Sequence, residues 1–238
     1  SSDVCSSDLG ALEGDAKDAP AAIDWPANGW QIKPDLIAKG PEYKVPARTK
    51  NNVIEWTNIV MPGAFKEDTW VTSIEVKPSE LSVTHHICLQ FLPHREGVKY
   101  GVPEWVDKPR DESGAEIADD KTRRGNFFTK NLEGGGPLEV CYLPGIQAAD
   151  YRPFGAGKFV AKGTDIIWQV HYTPTGKELT DYPEVGFTVS KTPPARQYVS
   201  LQATGPQDAG HFSIPPGNAN WEAPHGEAIF EHIQFGRD

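Results

Sequence analysis

Residues 68–93 read DTWVTSIEVKPSELSVTHHICLQFLP, and their alternation decides the fold. Apolar and polar side chains exchange along DTWVTSIEVKP with the period of a half-buried strand, not of a helix. Trp70, Thr72, Ile74 and Val76 are expected on one face, with Val71, Ser73 and Glu75 on the other. Lys77-Pro78 closes the run in a turn. A second strand follows, in which Val83, His85, Ile87, Leu89 and Phe91 share one parity and Thr84, His86, Cys88 and Gln90 the other. On this reading the apolar parity carries His85 inward.

The same texture extends outward. PLEVCYLPG (137–145), GKFVAKGTDIIWQVHYTP (157–174), EVGFTVS (184–190) and QYVSLQA (197–203) are short apolar runs bounded by turn residues, and HFSIPPGN (211–218) and EAIFEHIQF (227–235) continue the pattern. Gly163-Thr164-Asp165 is expected to turn a hairpin. Within the strand at 165–172, Ile167, Gln169 and His171 share one side, and Ile166, Trp168, Val170 and Tyr172 the other. With 23 Gly and 21 Pro in 238 residues, long helices are disfavoured, while 7 Trp and 38% hydrophobic residues are enough for a real core. The fold class is all-β, an antiparallel β-sandwich. Residues 96–136 carry charges of both signs and the Gly134-Gly135-Gly136 run, which reads as a long surface insertion with a helical turn near Ala115 to Asp120.

A net charge of −10 disfavours nucleic acid as a partner, because phosphate-tracking surfaces need clustered Lys and Arg. No apolar run approaches the length of a membrane-spanning helix. Residues 10–29, rich in Ala, Pro, Asp and Gly, read as a linker. Residues 1–9, SSDVCSSDL, resemble the conceptual translation of a sequencing-library adapter, which would take Cys5 out of the biology. Cys88 and Cys141 remain, each in a strand-like run. They either pair or serve as small buried hydrophobes, and the unpaired state is the expectation.

Seven histidines are present, of which His85, His86 and His171 lie in strongly apolar strands. A half-buried imidazole must satisfy both ring nitrogens or lower its pKa, and one shared metal ion would satisfy all three rings. Three neutral imidazoles suit copper or zinc. Successive residues on a flat strand face opposite ways, so the doublet can meet one ion only if a bulge or local twist at Thr84 to Ile87 re-aims a ring. Packed structural histidines are the alternative. Thr173-Pro174 ends the later strand directly after His171, which puts that ring near the sheet rim. His94, in LPHRE, reads as solvated, and His211, His225 and His232 as surface residues; Asp111-Glu112 and Asp119-Asp120 belong to the charged insertion. No Ser-His-Asp arrangement, phosphate loop or CxxC is visible.

VTHHICLQ, preceded by DTWVTSIEVKP and followed by PFGAGKFV and DIIWQVHYTPTGKELTDYPEVGFTVS, with FSIPPGN near the end, resembles the copper type II, ascorbate-dependent monooxygenases. These are the relatives of peptidylglycine α-hydroxylating and dopamine β-monooxygenases. The likeness covers about residues 30 to 235 and is strongest to bacterial members, where such a region follows a cytochrome c-like domain. It implies two jelly-roll domains, each with one copper, the first held by His85, His86 and His171. It also implies ascorbate or another one-electron reductant, O2, a small-molecule or peptide-like substrate, and a periplasmic or secreted location.

The second copper of that family needs an H-x-H pair and a methionine; Met61 lies far upstream and no H-x-H is present. The expected organisation is therefore a copper domain at 30–195 and the incomplete start of a second domain at 196–238, a fragment of a parent oxygenase. It would be the electron-transfer half, inactive alone in C–H hydroxylation. The alternatives are a non-catalytic extracytoplasmic binding module presenting Trp105 or Trp221, and a structural zinc site.

Overall fold

A computed structural model of the chain describes residues 15–18, 29–49, 54–106, 113, 115, 131–200 and 216–217. The chain divides into two compact units, Ser1–Gln31 and Ile32–Asp238. In the first, the described element is a single 3-10 turn at Ala16–Asp18, where Lys17 pairs with Asp15 at 2.8 Å. Every described strand belongs to the second. They are β1 (Leu36–Lys39), β2 (Tyr43–Val45), β3 (Glu55–Met61), β4 (Thr69–Lys77), β5 (Thr84–Leu92), β6 (Glu104–Trp105), β7 (Leu138–Tyr142), β8 (Ala148–Asp150), β9 (Ala156–Val160), β10 (Asp165–Tyr172), β11 (Leu179–Asp181), β12 (Glu184–Ser190) and β13 (Arg196–Gln197).

Two sheets carry most of them. One runs β1-β12-β4-β9-β13, with β8 also on β4; the other runs β6-β3-β10-β5-β7; β2 and β11 form a small ladder of their own. The described pairings are antiparallel apart from the two-residue β13–β9 contact. Val71, Ile74, Val76, Val185 and Phe187 of the first sheet share one core with Ile59, Ile87, Leu89, Ile166, Trp168 and Val170 of the second. Each such side chain withdrawn from water contributes about 1.5–3 kcal/mol. Trp168 fits because residue 40 is glycine: a Cβ there would lie 2.9 Å from its ring and from the Pro183 carbonyl.

The alternation in β4 does not run unbroken. Ser73 pairs with Thr188 but Val71 with Val189, so Thr72 is an extra residue, a β-bulge. Val71 thereby joins Ile74 and Val76 in the core, and Trp70, expected on their face, packs outside against Phe159. The expected hairpin at Gly163 is also corrected. The tight turn is there, with Gly163 at φ 75°, but β9 and β10 enter different sheets, because both edges of β10 are already taken by β3 and β5. Of QYVSLQA only Gln197 lies in a described strand, as the second residue of β13, and 198–200 lie outside any strand.

Several expectations fall outside the described residues: the tail at 1–9, most of the linker at 10–29, the turn following Ala115, Asp111-Glu112, Asp119-Asp120, His211, Trp221, His225 and His232, and the chain from 201 onward apart from 216–217. Among the described residues no helix is long and apolar enough to cross a membrane.

Candidate metal centre

The outer face of the second sheet holds the three strand histidines. β10 pairs with β5 through Val170↔Ile87 and His171↔His86, and then Tyr172 meets Thr84, leaving His85 without a partner. This is a bulge in which two residues oppose one, and it turns both rings of the doublet toward His171. His85, expected on the apolar parity, is instead exposed, while His86 and His171 are half-buried. The correction has a simple cause: one inserted residue shifts the alternation.

Their ring nitrogens converge. His86 Nδ1 lies 3.1 Å from His85 Nδ1 and 3.3 Å from His171 Nδ1, and one ligand atom from each ring falls within 4.8 Å of the others. Two nitrogens bound tetrahedrally to one ion at metal-ligand distance stand about 3.3 Å apart. The two spacings from His86 therefore fit a shared transition metal. Burial, then the neighbouring His86 and His85, pushes the His171 imidazole down to about 4. Burial, then His85, also lowers His86, against a smaller opposing hydrogen bond with Gln169. Both rings are held neutral at pH 7, the form that coordinates a metal.

Neighbouring elements hold the doublet in place. Asp181, fully buried, accepts hydrogen bonds from Ser79 N at 2.7 Å, Ser79 Oγ at 2.8 Å and Glu80 N at 2.9 Å, and from the Tyr172 hydroxyl at 2.8 Å. Thr84 Oγ1 donates to the Glu80 carbonyl at 2.7 Å, and Thr173 N to that of Val83 at 2.8 Å. The loop entering β5 and the end of β10 are thus tied to one carboxylate. Tyr172 points into the core, stacked on Tyr43 at 4.8 Å, and supports the site only through this clamp. Burial, then Asp181, raises its hydroxyl far above the usual tyrosine range.

Trp56, unnoticed in the sequence, faces His171 across β3 and β10. Its indole stacks on the His171 ring at 5.3 Å and meets His86 edge-on at 5.6 Å. Its buried N–H has no hydrogen-bond partner among the described residues. The next row of the same face holds Asn58, Gln169 and Cys88, with Gln169 Nε2 donating to Asn58 Oδ1 at 3.4 Å. Only register exposes these residues: Trp56 is some thirty positions from the doublet and carries no motif.

The expectation for the cysteines is overturned. Cys88 and Cys141 sit opposite one another on β5 and β7 and form a disulfide, their Cα atoms 4.0 Å apart. Two thiols directly cross-strand are within bonding reach, which separate strand signals cannot reveal. His94 is likewise not merely solvated: Nδ1 lies 2.9 Å from Oδ2 of buried Asp165, which also accepts the Tyr100 hydroxyl at 2.9 Å. A buried ion pair, Lys158 with Glu139, is completed by Ser200. Trp105 is half-buried on β6 beside Thr57.

No protein-family model and no curated protein matches the chain.

Proposed function

We propose that His85, His86 and His171 bind copper and that the chain is the electron-accepting half of a copper- and ascorbate-dependent monooxygenase. The single observation that carries the metal reading is the approach of three imidazole Nδ1 atoms across a strand bulge, at 3.1 and 3.3 Å. Copper as the metal rests on the chemistry of the donors and on the resemblance of the HH and QVHY strands. Imidazole suits copper, and no thiolate or carboxylate joins the three described ligands to favour another ion.

When bound, copper supplies one-electron chemistry between its cupric and cuprous states. The protein's part is to present three imidazole nitrogens, those of His86 and His171 kept neutral by burial. Trp56 covers one face of His171 and fixes its ring, and Gln169 orients His86 from the neighbouring row. Exposed His85 leaves the site open on one side to a small diffusing reductant such as ascorbate. The jelly-roll ordering of the sandwich, a second domain opening after about residue 196, and a periplasmic or secreted location belong to the same proposal. The disulfide supports the location, since such bonds persist in oxidising compartments.

Titrating the metal-free chain with Cu(II) tests this. One equivalent should bind with micromolar or tighter affinity and a nitrogen-rich electron paramagnetic resonance signal, and ascorbate should abolish that signal. Uptake that is absent, or unchanged in His171→Ala, ends the metal reading. Preference for Zn(II) in competition, or a Cu(II) signal indifferent to ascorbate, ends the electron-transfer reading.

A further inference from the structure

The strand that carries the histidine doublet is paired to β10 without a break from Leu92 to His86, and its hold weakens at the doublet end. On its β10 side the ladder breaks at the doublet itself, where His85 has no partner. On its β7 side the regular register spans only Ile87↔Tyr142, Cys88↔Cys141 and Leu89↔Val140, and then shifts before Gln90↔Leu138. Neither His85 nor His86 has a β7 partner. Two irregularities thus lie within a few residues of each other on one strand. A slip of one residue there would turn His86 from the outer face to the core, because side chains alternate strictly.

The centre of that three-pair segment is the Cys88–Cys141 bond. Cys88 stands two residues from His86, on the same face, and directly opposite Gln169, which bonds to His86. A covalent cross-link at this point guards the doublet end of β5 against that slip, alongside the β10 ladder that runs unbroken from Leu92 to His86. We infer that the Cys88–Cys141 disulfide is a positioning element of the metal centre, locking the register of β5 so that both histidines of the doublet face His171. This rests on the metal reading proposed above.

The test removes both sulfurs together, since a lone thiol would itself capture copper. Cu(II) affinity is measured by chelator competition for the full chain, for C88A/C141A and for Phe187→Leu, a core change in the opposite sheet that lowers stability and whose ring meets β5 at Phe91, five residues from His86. All are compared at a temperature where circular dichroism shows them folded. C88V/C141A, which refills the cross-strand space, substitutes if the alanine pair does not fold. The expected result is a loss of about 10–100-fold for the cysteine pair, the range found when support behind a metal ligand is removed. A changed nitrogen hyperfine pattern should accompany it, and Phe187→Leu should bind like the parent. Affinity within about twofold of the parent in the cysteine variant, or an equal loss in Phe187→Leu, overturns the inference while the metal reading stands. A parent chain that takes up no copper removes both.

Discussion

The bulge at Thr72 in β4 and the bulge at His85 in β5 are the same backbone event in the two facing sheets, with opposite outcomes. In β4 the extra residue is closed upon itself. Thr72 Oγ1 lies 2.9 Å from Thr188 Oγ1, which also bonds Ser73 Oγ, so three hydroxyls satisfy one another beside the irregularity. In β5 the extra residue brings together three imidazoles whose Nδ1 atoms meet at His86. Hydroxyls donate and accept at once, so a cluster of them needs nothing further. Imidazole nitrogens gathered within 4.8 Å of one another can instead share a metal ion. A bulge in a strand is therefore not in itself a functional sign; the chemistry of the residues it gathers makes it one.

The contrast can be broken most directly at the later histidine. His171→Ala should weaken copper binding by more than the roughly 10–100-fold cost of losing a supporting group, while Thr188→Val should leave the affinity unchanged; chelator competition reads both. A second consequence concerns heat. Copper at about 100 times its dissociation constant should stabilise the folded chain by about 2.7 kcal/mol, raising Tm by about 5–10 °C for a domain of this size. That rise should vanish in His171→Ala and persist in Thr188→Val, as scanning calorimetry with and without chelator would show.

At the β4 bulge, Thr188→Val removes the hydroxyl shared by Thr72 and Ser73. Leaving a buried hydroxyl unpaired costs about 1–3 kcal/mol, so denaturant unfolding should reveal that loss while copper uptake remains intact. Trp56→Ala should give the smallest effect. An aromatic stack is worth about 0.5–1.5 kcal/mol, so copper affinity should fall by about 2–10-fold with little change in stoichiometry. A loss as large as that of His171→Ala would mean that the indole does more than orient the ring.

Much of this was legible in the chain. Alternation in 68–93 marked both strands, and the side of β10 that carries His171 followed from parity alone. Where reading failed, it failed at insertions of a single residue. Counting by twos placed Trp70 with Ile74 and sent His85 inward, and each bulge reversed the count from that point. The need for an irregularity at the doublet was visible, because adjacent residues cannot otherwise share a target; the one at Thr72 had no such demand to announce it. Trp56, the Cys88–Cys141 bond and the pairing of His94 with Asp165 were illegible for another reason: each joins segments whose adjacency depends on sheet order and register.

What the sequence determined by itself is the kind of structure and the kind of donor: period-two apolar runs compel strands with a buried face, and imidazoles in such runs must find partners. The tertiary structure alone decided that the three rings meet. Convergence required β5 to lie beside β10 and His85 to be left out of the ladder, so that 85 positions of chain close into a contact of 3.3 Å between His86 and His171. Local patterns encode which face a residue prefers, but distance between strands is set by how two whole sheets bury their apolar faces against each other.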